Sequence, residues 1–315
     1  MKGKLLTIGV SLALISTAAF YQFNKQEGSF ERDALVNNQW EIENHTASQK
    51  QFKVSGIHSQ QYLLKELSSN QVLVSRKEDK KTEIASLTKI MTAYILLDKA
   101  ENLNAVVSID GAIIDELSAE GASLSGFGRD EEVTIKDLAY GIMLPSGGDA
   151  SIVAANFIAG SEKEFAKLMN QYGQQLGLKN THFSNATGLD ALNHYSTVAD
   201  LAVLLEQALK NEAFYEVFTT LEYTTDAKRY EPEGYYIKST LLREGNHLAL
   251  KEGKILGGKT GYTQKAGLCL ASIAEINGKV YLLVSTGADG NPLTEQYNVT
   301  DAVTMYNTIS QVSSI

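Results

Sequence analysis

The chain has one cysteine, Cys269, so no intrachain disulfide can brace it. At 315 residues and 43% apolar it can bury a sizeable core without one. Cys269 lies in the apolar run Gly267-Leu268-Cys269-Leu270-Ala271 and reads as a small buried residue of a strand, not a reactive thiol. The five histidines (His45, His58, His182, His194 and His247) show no metal-ligand spacing, and no His-Glu-x-x-His occurs. A zinc peptidase is thereby disfavoured, and no metal is expected. No phosphate-loop pattern is present, and no cofactor is expected either. Positive charge is in deficit: a net charge of −9 argues against nucleic acid as a partner. Runs of like charge are missing too, and the mixed run 76–81 reads as a solvated turn. Internal repeats and low-complexity segments are absent.

The N-terminus does carry a pattern. Lys2 and Lys4 precede an apolar stretch over residues 5–21, the layout of an export signal. Its length is near the lower limit for spanning a bilayer. Thr17-Ala18-Ala19 is an imperfect cleavage site, so residues 1–24 read as a signal peptide or an N-terminal membrane anchor. The basic residues ahead of the stretch favour a cytoplasmic N-terminus with the body outside. Residues 25–55 are polar, rich in Asn, Gln, Glu and Ser, and read as a linker. Residues 56–315 are expected to form the folded domain.

Within that domain the spacing predicts a hairpin around Ser68-Ser69-Asn70, helices over 86–99, 133–142, 161–176, 197–209 and 301–309, and strands over 268–276 and 279–286. Ser161 and Thr197 are expected caps. Asn277-Gly278 between two apolar runs is a strong hairpin signal. A terminal sheet enclosing a helical middle is an α+β arrangement.

Two motifs carry chemistry. Ser86-Leu87-Thr88-Lys89 opens the first helix, and positions i and i+3 share a face, so the Ser86 hydroxyl and Lys89 amine can meet. A serine becomes a useful nucleophile when a base takes its proton, and a neutral lysine can be that base. Lys259-Thr260-Gly261 leads into the apolar strand that begins at Ala266. Ser-x-x-Lys with Lys-Thr-Gly is the signature of penicillin-binding proteins and serine β-lactamases. Between them Leu144-Pro145-Ser146-Gly147-Gly148-Asp149-Ala150 makes a turn that can place a hydroxyl at a cleft edge.

With these three motifs the chain resembles the D-alanyl-D-alanine carboxypeptidases, the low-molecular-mass penicillin-binding proteins. Matching stretches include 84–92, 137–147, Thr181-His182-Phe183-Ser184-Asn185-Ala186-Thr187-Gly188-Leu189-Asp190, His194-Tyr195-Ser196-Thr197 and 258–270. The resemblance implies a DD-peptidase/β-lactamase-like fold: an antiparallel sheet flanked by helices, an all-helical subdomain, and a site between them. It implies Ser86 as nucleophile, Lys89 as general base, Ser146 as proton relay, and Lys259 and Thr260 as holders of the substrate's terminal carboxylate. Backbone N–H groups of Ser86 and Tyr262 would form the oxyanion hole, and Gly261 would let the strand approach the substrate. Lys259 is also expected to help depress the pKa of Lys89. The implied partners are a peptidoglycan stem peptide ending in D-Ala-D-Ala, β-lactams as inhibitors, and the membrane through the N-terminal apolar segment. The implied location is the outer face of the bacterial cytoplasmic membrane or the cell wall.

The main departure is Gly148, where the family most often carries the Asn of Ser-x-Asn. Glycine cannot supply that amide. Gly121-Ala122-Ser123, ahead of the third motif, has no assigned role. Two alternatives stay open: a class A β-lactamase, for which the stretch 183–195 lacks the needed Glu, and a non-catalytic wall-peptide binder. A triad built on His182 or His194 is a further possibility that Lys89 makes unnecessary.

Overall fold

The fold comes from a computed structural model and is described for residues 52–313, with side chains through residue 309. The signal or anchor reading of residues 1–24 lies outside the described residues, as does nearly all of the linker reading. At that linker's end Phe52 and Val54 pack against the core of the body.

The chain opens with the hairpin β1 (Gln61–Glu66) and β2 (Val72–Arg76), antiparallel around Asn70 in the left-handed region. A 3₁₀ turn, Ala85–Thr88, leads straight into α1 (Lys89–Lys99). The Ser86 end of the expected helix is therefore 3₁₀ rather than α. In that tighter coil residues three apart eclipse one another, which brings Ser86 and Lys89 onto one edge. Then come β3 (Val106–Ser108), α2 (Gly111–Ala119) and β4 (Glu132–Thr134), with β3 and β4 paired. Helix α3 (Ile135–Met143) starts two residues later than its apolar pattern suggests. Val133 is in the strand, and Thr134 forms a capping box with Asp137.

Helices α4 (Gly148–Ala159), α5 (Glu162–Gln175), α6 (Val198–Ala208) and α7 (Glu212–Thr219) follow. Ser161 and Thr197 cap α5 and α6 as expected, and Asn211 caps α7. A small hairpin, β5 (Glu222–Thr224) with β6 (Tyr236–Lys238), precedes a second 3₁₀ turn, Thr240–Leu242. Three long strands complete the sheet: β7 (Lys254–Thr263), β8 (Gly267–Ile276) and β9 (Lys279–Ala288). The Lys259-Thr260-Gly261 motif is thus inside a strand of its own, β7, ahead of the strand it was expected to enter. Asn277 and Gly278 both have positive φ (52° and 73°), the backbone of a two-residue hairpin turn. The last helix, α8 (Tyr297–Ser313), is longer than its periodic centre over 301–309.

The main sheet runs β2-β1-β9-β8-β7, antiparallel throughout. Helix α8 covers one face through Val299, Ala302, Met305 and Tyr306 against Leu64, Leu270 and Leu283. Helix α6 packs on β9 and β1. Helix α1 is the hub of the helical layer, in contact with α3, α4, α6 and α7, and nine of its eleven residues are buried. Its buried start faces β7 across the 3₁₀ turn. The two motifs, distant in sequence, are thereby set edge to edge. Cys269 is fully buried in β8, and burial pushes its thiol up to about 12, so it is an inert core residue.

Candidate active site

One cleft is lined by Ser86, Lys89, Ser146, Gly148, Thr260, Gly261 and Tyr262. Seven of the eight sequence-predicted site residues therefore share one cleft. Ser86 is half-buried at the 3₁₀ turn, and its Oγ lies 3.1 Å from Lys89 Nζ. Lys89 Nζ also donates to the Thr187 carbonyl at 2.5 Å. Neither His182 nor His194 is hydrogen-bonded to Ser86 Oγ. His182 meets the Asn193 carbonyl, and His194 meets Thr88 and Ser184.

Burial lowers the pKa of Lys89 to about 7, while the charges of Asp149 and Glu162 act in the opposite direction. Desolvation is the main cause, and Lys259 nearby is itself held well below the usual lysine range by burial and then by the charges of Lys89 and Arg243. A half-neutral amine within reach of a serine hydroxyl can accept its proton.

Ser146 sits in the turn ahead of α4 with φ +70°, a left-handed conformation that is rare for a non-glycine residue. Its Oγ is buried and has no hydrogen-bond partner among the described residues. A hydroxyl without a partner at a cleft wall has bonding capacity to offer a ligand. Gly147 has to be glycine, because a Cβ there would stand 2.6 Å from the Gly141 carbonyl oxygen. Gly148 is less constrained. It is the first residue of α4, its N–H donates to Ser123 O at 2.8 Å, and a Cβ would meet Leu117 Cδ1 at 3.2 Å and Ser123 O at 3.3 Å. Gly261 brings β7 alongside the nucleophile turn: a Cβ there would lie 3.0 Å from Ser86 N.

Lys259, between Gly258 and Thr260 on β7, is fully buried, its Nζ donates to the Thr260 carbonyl at 2.8 Å, and it is not among the side chains lining the cleft. The cation that does line it is the exposed Arg243, just after the second 3₁₀ turn. Both of its hydrogen bonds, to Pro292 O (3.1 Å) and Gln296 Oε1 (3.3 Å), use Nη1. Its other donors face no partner among those bonds. Next to it Thr240 Oγ1 and Thr260 Oγ1 are 2.6 Å apart. Arg243, Thr240 and Thr187 were missed by sequence reasoning. Arg243 and Thr240 lie in a stretch without periodicity. Thr240 reaches the cleft because its N–H is tied to Leu144 O at 3.0 Å, beside the third motif. The cleft lining contains no carboxylate, so it offers no Glu of the kind a class A β-lactamase needs. Among the described residues no cluster could hold a metal ion.

The antiparallel sheet, the helical layer and a serine–lysine pair between them define a class of fold and site. The sequence profile of the D-alanyl-D-alanine carboxypeptidases matches residues 44–290, and the chain belongs to that family. DacF of Bacillus subtilis, a D-alanyl-D-alanine carboxypeptidase, is 34% identical over 226 residues, 72% of this chain and 56% of the relative. DacA of Escherichia coli, of the same description, is 34% identical over 229 residues, 70% of this chain and 54% of the relative. The chain thus spans little more than half the length of these relatives. The DD-transpeptidase of Streptomyces strain K15 superposes with a TM-score of 0.72 at 28% identity, covering 81% of this chain and 98% of that one.

The titration of Lys89 has a directional consequence. Only its neutral form can take the Ser86 proton, and that form gains population above about pH 7. The rate of Ser86 acylation by a β-lactam should therefore rise with pH, reach half its maximum near pH 7 and level off about one unit higher. Stopped-flow acylation across pH 5 to 9 checks this, and a half-maximum near pH 9 or above would remove the depressed lysine from the reaction.

Proposed function

We propose that the protein is a serine-type D-alanyl-D-alanine carboxypeptidase that removes the last D-Ala from peptidoglycan stem peptides. The observation that carries this is the contact of Lys89 Nζ with Ser86 Oγ in a cleft that also holds an unpartnered serine and a cation. Ser86 Oγ attacks the carbonyl of the penultimate D-Ala as its proton passes to Lys89. The N–H groups of Ser86 and Tyr262 receive the oxyanion, where one such donor is typically worth about 3–4 kcal/mol. The C–N bond then breaks, and Ser146 passes the proton from Lys89 to the departing amine. Water attacks the Ser86 ester as its proton passes to Lys89, the C–Oγ bond breaks, and Lys89 returns the proton to Ser86 Oγ. A β-lactam enters by the same first step and remains as an acyl-enzyme. The apolar segment at residues 5–21 would send the chain through the cytoplasmic membrane and, if retained, tether it there.

The test is release of D-Ala from a stem peptide ending in D-Ala-D-Ala, run with wild type and Ser86→Ala. Wild type should release the amino acid and label covalently with fluorescent penicillin, and folded Ser86→Ala should do neither. Including an amine acceptor separates hydrolysis from the amine transfer implied by the description of the Streptomyces relative as a DD-transpeptidase. Product formed only with the amine would change the reading.

Burial of Lys259 shifts the carboxylate contact to Arg243, whose guanidinium can meet a carboxylate with two parallel donors while Thr240 and Thr260 offer hydroxyls beside it. Amidating the terminal D-Ala should then cost wild type far more in kcat/KM than it costs Arg243→Ala. Equal losses in the two proteins would return the contact to Lys259.

Gly148→Asn tests the departure in the third motif. The φ there is not in the left-handed region, and the introduced Cβ asks Leu117 and the Ser123 carbonyl each to give by a few tenths of an ångström. Melting temperature should stay nearly constant. One added hydrogen bond of about 0.5–1.5 kcal/mol should raise kcat/KM roughly three- to tenfold. Unchanged stability with unchanged or lower kcat/KM would mean that the site is built around glycine.

A further inference from the structure

His194 takes no part in the proton steps above, yet both of its ring nitrogens are engaged. The Ser184 N–H lies 3.0 Å from Nδ1, and Thr88 Oγ1 lies 2.8 Å from Nε2. A backbone N–H can only donate, so Nδ1 is the acceptor and the ring proton is on Nε2. Nε2–H donates to Thr88 Oγ1, and the Thr88 hydroxyl donates to Ala85 O at 2.8 Å. Three hydrogen bonds therefore run one way from the Ser184 backbone to the Ala85 carbonyl. Burial lowers the ring's pKa to about 4, which keeps this tautomer uncharged at neutral pH.

The chain of bonds ends at an unusual residue. Ala85 has φ +46°, a left-handed backbone that a non-glycine residue holds only where its surroundings fix it. It directly precedes Ser86, so its dihedrals set where the Ser86 N–H and hydroxyl point. The same loop closes on it from the other side: a Cβ on Gly188 would stand 2.0 Å from Ala85 O, and the neighbouring Thr187 carbonyl accepts from Lys89. Thr88 and Ala85 are both buried, so no solvent competes for these groups.

We infer that His194 is a positioning residue for the nucleophile. Through the Thr88 hydroxyl it holds Ala85 left-handed and so aims the Ser86 N–H and Oγ. This rests on the reading of Ser86 as the acylated residue. His194 touches neither Ser86 nor the substrate. A histidine that only filled space beside Phe183, whose ring lies 6.0 Å away edge to face, would act on stability alone.

Two amide substitutions separate the ring nitrogens. Gln places a donor where Nε2 stands and leaves the Ser184 N–H without its acceptor. Asn replaces the Nδ1 acceptor and leaves Thr88 without its donor. A second pair acts on the hydroxyl itself: Thr88→Ser keeps it, and Thr88→Val removes it at nearly constant shape. Acylation rates with fluorescent penicillin and melting temperatures are measured for the full chain and all four variants. His194→Asn and Thr88→Val should acylate about tenfold or more slowly, a loss on the scale of one hydrogen bond. His194→Gln and Thr88→Ser should stay within about threefold of wild type, with His194→Gln melting no higher than His194→Asn. Equal acylation by His194→Gln and His194→Asn, or Thr88→Val as fast as wild type, overturns the inference. If the His194 variants do not fold, the Thr88 pair decides alone. Wild type that fails to label overturns the reading of Ser86 before any variant is compared.

Discussion

The site depends on keeping one amine dry. Lys89 is 3% exposed at the first turn of α1, and desolvation brings its pKa down to about 7. Its remaining partners are chosen to orient it without fixing the proton. The Thr187 carbonyl accepts one N–H, and Ser86 Oγ is the other neighbour. Asp149 and Glu162 pull the pKa upward but are occupied elsewhere: Asp149 takes the N–H and hydroxyl of Ser125, and Glu162 takes the N–H of Ala186. A free carboxylate in direct contact would pin the lysine as a cation and end its use as a base. The helical layer serves this condition, since α3, α4 and α6 close around α1 and exclude water from its start.

Lys259 and Arg243 add two further basic side chains close to Lys89. Lys259 is fully buried and feels the charges of Lys89 and Arg243, so its own ammonium is disfavoured. Arg243 is the exposed member of the group and lines the cleft. A carboxylate arriving at Arg243 reduces this repulsion. It also brings negative charge near Lys89, which would favour the protonated amine. In the carboxylate contact proposed for Arg243 the guanidinium would offset that charge at its point of entry.

Much of this was legible in the sequence because it is local. Ser86 and Lys89 are three residues apart, Ser161 and Thr197 cap the helices they precede, and Asn277-Gly278 turns the hairpin it was expected to turn. What escaped is set by tertiary packing. Arg243 belongs to no periodic pattern and reaches the cleft because Thr240 is tied to the Leu144 carbonyl. Burial of Lys259 depends on β7 lying between β8 and the 3₁₀ turn that carries Ser86, and the three letters of its motif do not encode it. The left-handed Ala85 was equally hidden, since no single residue type demands it there.

The third motif shows how a missing side chain can be absorbed by backbone. Gly148 presents no amide, but its N–H holds the Ser123 carbonyl, and next to it Asp149 grips Ser125 through both N–H and hydroxyl. Asp149 occupies the first turn of α4, where the helix dipole favours its negative charge. These bonds fasten the segment 121–125 across the start of α4, and Gly121, Ala122 and Ser123 become part of the cleft wall. A wall of this kind offers peptide groups and one serine in place of a carboxamide. Its precision comes from fixed backbone, which loses little entropy on binding, while an Asn side chain would have to be ordered by its ligand or its neighbours. The glycine therefore lacks a side-chain contact and at the same time lets the Ser123 main chain lie close against the start of α4.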